Sequence, residues 1–301
     1  MERIFEYRIT SEYEKKTIDF YLKSMGFSSQ NIIQLKKMKE SILLNGVWSY
    51  VNTPLKTGDI LTVHLQEFTV YDKIVPVALP FPVIYEDEDI LVVDKPADMP
   101  IHPSQNNHDN TLANAAAYYF SSKGLPFTFR CINRLDRNTT GLTVLAKHMV
   151  SANILGKMVS QRTLIREYRG LCAGIPIPQK GSIETPIGRV SGSTIERCID
   201  EENGEYALTH YKVLYAGEDY SYLAFRLGTG RTHQIRVHMA SIGHPLLGDS
   251  LYNPHTDDRI KRQALHSYRL SFPHPITGEQ LTFTAPIPAD FLHIHKCQKT
   301  E

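Results

Sequence analysis

The sequence has only four cysteines in 301 residues, and no two of them form a CxxC pair. This spacing excludes a dense disulfide framework and a zinc ribbon, and it favours a reducing compartment. No stretch approaches the roughly 18 consecutive apolar residues that a membrane span needs. The first residues, MERIFEYRITSEYEKK, are charged from the second position, which does not suit the apolar core of a signal peptide. We therefore expect a cytoplasmic protein.

The chain also lacks an excess of charge of either sign, because 33 Lys and Arg residues face 32 Asp and Glu residues. Hydrophobic residues make up 42% of the chain and charged residues 22%, which is typical of a folded globular protein. These values exclude wholesale disorder, collagen-like and coiled-coil architectures, and the strongly basic histone class. Any nucleic-acid site must therefore be a local basic patch. The length allows one large domain, or one large and one small domain.

Hydrophobic periodicity predicts a small α/β unit at the N-terminus. Apolar residues at helical spacing end at Gly26, and a second helix begins near Ser28. Two strands are predicted at 41–44 and 60–65. The proline-rich stretch IVPVALPFP at 74–82 then favours an extended linker or a strand edge.

Strands outnumber helices in the rest of the chain. The predicted strands are 90–94, 141–147, 165–173, 207–215 and 221–227, and the predicted helices are 111–119, 151–160 and 232–242. This pattern is typical of an α+β fold on a large mixed or antiparallel β-sheet flanked by helices and loops. We predict a small α/β domain over 1–75, a linker over 76–82 and the large domain over 83–301.

A charged loop precedes the strand predicted at 141–147. In this loop Asp136 lies between Arg134 and Arg137, and nearby guanidinium groups favour the ionised carboxylate at neutral pH. An ionised carboxylate suits a nucleophile or a base better than a proton donor. The alternative is a structural Asp–Arg pair that fixes a turn.

A glycine-rich turn follows the strand predicted at 221–227 and places Arg231 at the start of a helix. Backbone N–H groups and the helix dipole favour an anion there, so we expect a bound carboxylate or phosphate. The turn lacks the GxxxxGK[ST] pattern of a P-loop. His233 and His238 are five residues apart, which does not put two metal ligands on one helix face. We therefore expect no metal site and interpret both histidines as hydrogen-bonded packing residues.

Positive charge is concentrated between residues 130 and 170, where eight Lys and Arg residues face two acidic residues. The rings of Tyr118, Tyr119 and Tyr168 are available for stacking. This combination suits an RNA phosphate backbone with an unstacked base. A solvated basic face is the alternative interpretation.

The N-terminal unit resembles the S4 RNA-binding module over about residues 15–66. The module has a GxS turn, a basic helix, and VNG and GD turns. The matching residues here are GFS at 26–28, the lysines Lys36, Lys37 and Lys39, LNG at 44–46 and GD at 58–59. The resemblance implies that these lysines contact RNA, whereas periodicity alone is equally consistent with an ordinary solvated helix face.

The remainder resembles the RluA-like family of pseudouridine synthases, which modify uridines in ribosomal and transfer RNA. The family pattern HRLDRDTSG corresponds to NRLDRNTTG at 133–141, and TGRTHQIRVH is intact at 229–238. GHPLLGD follows at 243–249, and VDKPADMPIHP at 93–103 matches an upstream family stretch. The resemblance runs from about 81 to 288. It implies the pseudouridine synthase fold, an RNA partner, and neither a cofactor nor a metal.

The same resemblance implies a role for individual residues. Asp136 matches the single catalytic aspartate, Arg231 the arginine that pairs with it, and Tyr168 the tyrosine that stacks on the flipped uracil. Asn133 stands where the family usually has histidine, and we expect it to be structural. The RNA-binding candidates within the motifs are Arg134, which would fill the vacated RNA stack, Ile235, an apolar wall beside the base, and Arg137, Arg236 and Lys95.

The implied reaction breaks the N1–C1′ bond of uridine, turns the uracil, and joins C5 to C1′. One carboxylate can attack C1′, attack C6 or take the C2′ proton, and the sequence leaves these routes open. We expect a monomer that modifies large-subunit ribosomal RNA, with transfer RNA as the alternative. The sequence also leaves open a non-catalytic RNA-binding assembly factor and a carboxylate-based glycosidase or N-ribohydrolase. The latter would normally need a second carboxylate, and Glu167 is the only obvious one near Asp136.

Overall fold

A four-stranded sheet, a nine-stranded sheet and a two-stranded ribbon organise the chain. The computed structural model describes residues 1–67, 74–255, 257 and 259–294. Cys297, the end of the predicted large domain and residues 68–73 near the first predicted boundary lie outside this described part. None of its helices has both the length and the apolar character that crossing a membrane requires.

The elements of the described part are short and numerous. The helices are α1 (Ile18–Ser24), α2 (Ser29–Lys36), α3 (Leu112–Ser121), α4 (Met149–Ser160), α5 (Gln234–Ser241) and α6 (Ala289–Ile294). The strands are β1 (Glu2–Arg8), β2 (Ile42–Leu44), β3 (Val47–Trp48), β4 (Ile60–Gln66), β5 (Val83–Glu86), β6 (Ile90–Lys95), β7 (Thr140–Ala146), β8 (Ile165–Ala173), β9 (Lys180–Ile183), β10 (Ile187–Arg189), β11 (Arg197–Ile199), β12 (Thr209–Ala216), β13 (Tyr220–Leu227), β14 (Leu265–Pro273) and β15 (Gln280–Thr284).

The N-terminal unit packs α1 and α2 on the antiparallel sheet β1–β4–β2–β3. Polar side chains start both helices, because Thr17 caps α1 and Ser28 forms a capping box with Asn31 on α2. Alternate residues of β4 are buried against these helices, as a sheet with one solvated face requires. The predicted helices and strands of this unit are confirmed.

The nine-stranded sheet runs in the order β5–β6–β7–β14–β8–β13–β12–β9, with β15 paired to β14. Its described strand pairs are antiparallel except β7 with β14, so the predicted mixed sheet is confirmed. At this parallel contact Gly141 has φ +107°, and a Cβ there would lie 2.2 Å from the carbonyl oxygen of Ser267. Only glycine therefore permits the strand that follows the Asp136 loop to approach β14 this closely.

The two units share one hydrophobic cluster. Met149 and Val150 of α4 are buried in the same cluster as Phe5 of β1 and the apolar faces of α1 and α2. Between the units, residues 75–82 have no regular secondary structure, as predicted, and Leu79 and Phe81 pack near α3.

Polar contacts accompany this shared cluster. The Nε of Arg3 lies 2.9 Å from Asp89 Oδ1, and Asn153 donates to the carbonyl oxygen of Gly26 at 2.6 Å. Burial alone would raise the pKa of Asp89, but hydrogen bonds from His148 and Arg3 lower it to about 2. The N-terminal unit is therefore fixed to the larger unit by both apolar and charged contacts.

Candidate active site

Asp136 lies in a loop that is anchored on both sides. Before it, the buried Asn133 side chain donates to the Leu142 carbonyl at 3.0 Å and accepts from the Val144 N–H at 2.9 Å. After it, the Arg137 carbonyl accepts from Lys95 Nζ at 2.9 Å. The side-chain amide of Asn133 thus bonds backbone groups of β7 as a neighbouring strand would, which agrees with the expected structural role.

A buried arginine holds the Asp136 carboxylate. Arg236 is 4% exposed, and its Nη1 donates to Asp136 Oδ2 at 3.1 Å. Its Nε and Nη2 donate to the two carboxylate oxygens of Asp249, each at 2.7 Å. Burial alone would lower the pKa of Arg236, but Asp249 and Asp136 outweigh it and raise the pKa. One guanidinium thus bridges two carboxylates and orients Asp136 toward the cavity.

Asp136 lines a cavity of about 520 Å³, within the size range of small-ligand sites. Tyr168 from β8 and Ile235 from α5 form apolar walls, and they are 5% and 4% exposed. Burial raises the pKa of the Tyr168 phenol. The cavity therefore offers one ionisable carboxylate beside an aromatic ring and an aliphatic side chain.

The rest of the lining is strongly basic. Arg134, Arg162 and Arg166 line the cavity, and Asp136 is the only carboxylate among the lining residues of the described chain. Arg166 is 7% exposed, and its buried Nε lacks a hydrogen-bond partner in the described part. Arg166 and Arg162 were not among the predicted site residues. Two features of the sequence could have indicated them. Both lie in the charge cluster at 130–170, and Arg166 lies two residues before Tyr168, on the same face of the strand.

The glycine-rich turn is built around one amide. Gln234 Oε1 accepts from Thr229 Oγ1 at 2.7 Å and from the Arg231 N–H at 3.0 Å. Next to it His233 has φ +58°, lines the cavity and places Nε2 3.9 Å from Asp136 Oδ2. The hydroxyl of Tyr252 lies 2.7 Å from His233 Nδ1, and burial lowers the pKa of this histidine.

The predicted pairing of Arg231 with Asp136 is wrong in this structure. Arg231 forms an ion pair with Glu205 and donates from Nε to the Tyr206 carbonyl at 3.0 Å. Arg231 still lines the cavity, but Arg236 takes the place next to Asp136. The left-handed backbone at His233 lies between the two arginines.

Two predicted RNA contacts are also corrected. Lys95 is completely buried, and its Nζ donates to the carbonyls of Pro96, Met99 and Arg137. Burial lowers the pKa of Lys95 to about 7, with the Asp136 charge acting in the opposite direction. Lys95 is therefore enclosed by protein groups and holds the Asp136 loop. Arg236 lines the cavity, but its guanidinium is held by Asp136 and Asp249.

The remaining predicted cations are exposed. Arg134 is exposed at the cavity, whereas Arg137 points away and places Nε 2.6 Å from Asp98 Oδ1. The guanidinium that contacts Asp136 therefore belongs to Arg236 and not to the sequence neighbours. On the N-terminal unit, the predicted lysines are exposed and none forms an ion pair with a described residue: Lys36, Lys37 and Lys39.

One cluster has the composition of a metal site. Ligand atoms of Asp87, Asp89 and His274 lie within 4.8 Å of one another. His274 Nδ1 accepts from two backbone N–H groups, which leaves Nε2 to donate to Asp87 at 2.9 Å. Arg3 and His148 donate to Asp89. The donors and acceptors of this cluster are used within the protein, in the contact between the two units.

Comparisons with known proteins bear on this site. The family model described as RNA pseudouridylate synthase matches residues 89–241, which include the Asp136 loop and the Arg236 helix. RNA pseudouridine synthase YjbO of Bacillus subtilis is 36% identical over 280 residues, covering 93% of this chain and 98% of that protein. Ribosomal large subunit pseudouridine synthase D of Haemophilus ducreyi is 37% identical over 239 residues, covering 75% of this chain and 73% of that protein.

A solved structure agrees with these sequence relationships. Human RNA pseudouridylate synthase domain containing 1 aligns with a TM-score of 0.58 at 30% identity. The alignment covers 70% of this chain and 84% of the human chain. The nine-stranded sheet and its helices therefore match a solved fold of the same description.

Proposed function

Because the chain belongs to the RNA pseudouridylate synthase family, we propose that it isomerises specific uridines of large-subunit ribosomal RNA with Asp136 as the catalytic carboxylate. The observation that carries this assignment is the position of Asp136. It is the only carboxylate lining the cavity in the described chain, and it is held 3.1 Å from a buried arginine. A glycosidase-like N-ribohydrolase would normally need a second carboxylate, which this lining does not supply.

The walls of the cavity fit the proposed substrate. Tyr168 would stack on the uracil and Ile235 would close the other side, while Arg134 would occupy the gap left in the RNA. Flipping a base costs a few kcal/mol, and stacking on an aromatic ring returns about 1–3 kcal/mol per base. The base is then enclosed beside the carboxylate while N1–C1′ breaks and C5–C1′ forms, and C5 loses a proton while N1 takes one up.

Several observations support ribosomal RNA as the substrate. The Haemophilus ducreyi relative is named for the large ribosomal subunit. The N-terminal unit carries exposed lysines on and after α2, consistent with the proposed S4-like RNA-binding domain over 1–75. We take the monomer to be the active form, acting on ribosomal RNA in the cytoplasm.

Tritium release from RNA that contains 5-tritiated uridine tests the catalytic assignment. Asp136→Asn should bind RNA as the parent does but release no tritium, because the amide keeps the shape and loses the charge. Asp98→Asn is the matched control, since this carboxylate is exposed on a neighbouring loop and pairs with Arg137. The control should release tritium at the parental rate.

The product and the RNA position complete this test. Pseudouridine mapping of a deletion strain should show a missing site in large-subunit ribosomal RNA that the parent gene restores and the Asp136→Asn gene does not. Normal tritium release by Asp136→Asn would remove this carboxylate from the mechanism. Free uracil as the product would identify an N-ribohydrolase instead, and a missing site in transfer RNA alone would overturn the substrate.

A further inference from the structure

A second groove carries basic side chains on the face of the nine-stranded sheet opposite to Tyr168. Side chains alternate between faces along a strand, so Arg226, next to the buried Phe225 that pairs with Tyr168, points to this other face. The groove has a volume of about 640 Å³ and shares Arg162, Leu227 and Gly228 with the catalytic cavity. We call it the outer groove and define it by Arg162, Lys180, His210 and Arg226 in its lining.

Basic side chains face one another across the strands at and beside the outer groove. Arg226 of β13 is directly opposite His210 of β12. Lys212 of β12 is directly opposite Lys180 of β9. All four side chains are exposed, and none forms an ion pair in the described chain. Lys212 and Lys180 are like charges directly opposite one another, which destabilises a sheet, so a bound polyanion would relieve this repulsion.

Acidic residues are few around these basic side chains. β13 lies between β12 and β8, and on β8 the residue directly opposite Arg226 is Glu167. No ion pair joins these two side chains. The lining residues of the outer groove in the described chain include no aspartate or glutamate. Between the cations, Ile165 and Leu208 provide apolar surface. A positively charged groove that follows the backbone is typical of proteins that bind single-stranded nucleic acid.

Continuity with the catalytic cavity identifies the occupant. Arg162 lines both spaces, and its guanidinium carbon lies 5.9 Å from the Tyr206 ring centroid at their junction. We propose that the outer groove binds the phosphodiester backbone of the single-stranded RNA segment that flanks the target uridine. This inference rests on the proposed function, because the strand must enter the outer groove from the cavity that holds Asp136.

Binding of a fluorescein-labelled 24-nucleotide oligouridine to the full chain tests the inference. Lys180→Gln and Arg226→Gln should each weaken binding about tenfold, since each removes a charge-assisted contact to phosphate. Each should also reduce the slope of log K against log salt by about 0.7, the value for one phosphate on a single strand. Lys123→Gln is the matched control. It loses one exposed lysine near β5, at the far edge of the same sheet, and should change neither quantity.

Turnover on 5-tritiated large-subunit ribosomal RNA separates this inference from the proposed function. Both variants should raise KM far more than they lower kcat, because neither side chain lines the cavity with Asp136. If both variants keep the parental affinity and salt slope, the proposal that the outer groove binds RNA is wrong, while the catalytic proposal is unaffected. An inactive parent chain whose variants still lose oligouridine affinity would overturn the proposed function alone. If duplex RNA competes with the labelled oligouridine as well as single-stranded RNA does, the groove is not specific for a single strand and this part of the proposal is wrong.

Discussion

At the residue scale, the pairing of Asp136 was the part of the site that sequence could not resolve. Arg231 and Arg236 belong to one motif and have the same charge. Only the folded turn, with its left-handed His233, directs Arg231 to Glu205 and Arg236 to Asp136. That the Asp136 loop and Tyr168 belong to one site could be predicted from the motifs, because each lies within a contiguous pattern, and both line the same cavity.

This pairing predicts unequal effects of two matched substitutions. Arg236→Lys keeps the charge but cannot bridge Asp249 and Asp136 together, since lysine lacks the planar fork of arginine. We expect kcat for tritium release to fall on the order of 100-fold through misplacement of the carboxylate. In Arg231→Lys, kcat for tritium release should fall by less than about tenfold.

Thermal unfolding of both variants tests whether a lower kcat results from loss of the folded state. Arg236→Lys must remain folded at the assay temperature for its kcat to be informative. A larger loss in Arg231→Lys than in Arg236→Lys would contradict the assignment, because it would show that Arg231 contacts Asp136 when RNA is bound.

A buried histidine beside the Asp136 loop predicts a pH dependence of stability. His266 is 1% exposed, and burial together with the Arg262 charge lowers its pKa to about 4. The unfolded chain therefore takes up this proton first, and stability present above pH 6.5 is lost as the pH falls toward 4. The loss is on the order of 3 kcal/mol for a shift of this size.

Denaturant unfolding at pH 7 and pH 4.5 measures this contribution. His266→Gln should lower stability at pH 7 and should flatten the decline between the two pH values. His255→Gln is a control, because this histidine is exposed. An unchanged pH dependence in His266→Gln would show that other groups account for the decline.

At the element scale, the predicted strands and helices are those with long apolar patterns. The strand predicted at 165–173 coincides with β8, and most others differ by one or two residues. Missed elements include β1 and the short strands β9, β10 and β11. β1 buries one residue of seven, so its sequence carries little of the alternation on which prediction depends.

The lysines at the end of α2 and just after it lead to a prediction about RNA binding. Lys36, Lys37 and Lys39 are exposed without ion-pair partners in the described chain. Replacing all three with glutamine should weaken binding to large-subunit ribosomal RNA and reduce the salt slope by about 0.7–0.9 for each lost phosphate contact. Filter binding across a salt series measures both quantities.

A second triple variant on the same unit is the control for net charge. Lys15, Lys16 and Lys56 are also exposed and lie outside α2, so their replacement by glutamine changes the charge equally. If the two triple variants bind RNA with the same affinity, the α2 lysines form an ordinary solvated face and the S4-like proposal loses its main support.

At the scale of the whole molecule, the arrangement of the two units was not predictable. The proline-rich stretch favoured an extended linker, which says nothing about the contact of the units. That contact depends on Met149 and Val150, which in the sequence are simply apolar residues at the start of a helix. Their burial against Phe5 becomes evident only when both units are folded.

The shared cluster predicts that the two units unfold together. Differential scanning calorimetry of the full chain should show one transition, because separating the units would expose Val150 and leave Asp89 without its Arg3 partner. Val150→Ala should cost roughly 1–3 kcal/mol through the cavity it creates. It should lower the Tm of the whole transition without dividing it, because Val150 of the larger unit is buried in the hydrophobic cluster of the N-terminal unit. Two transitions in the parent, or a variant in which only one part shifts, would show that the N-terminal unit folds independently and that its position relative to the catalytic cavity is not fixed by this contact.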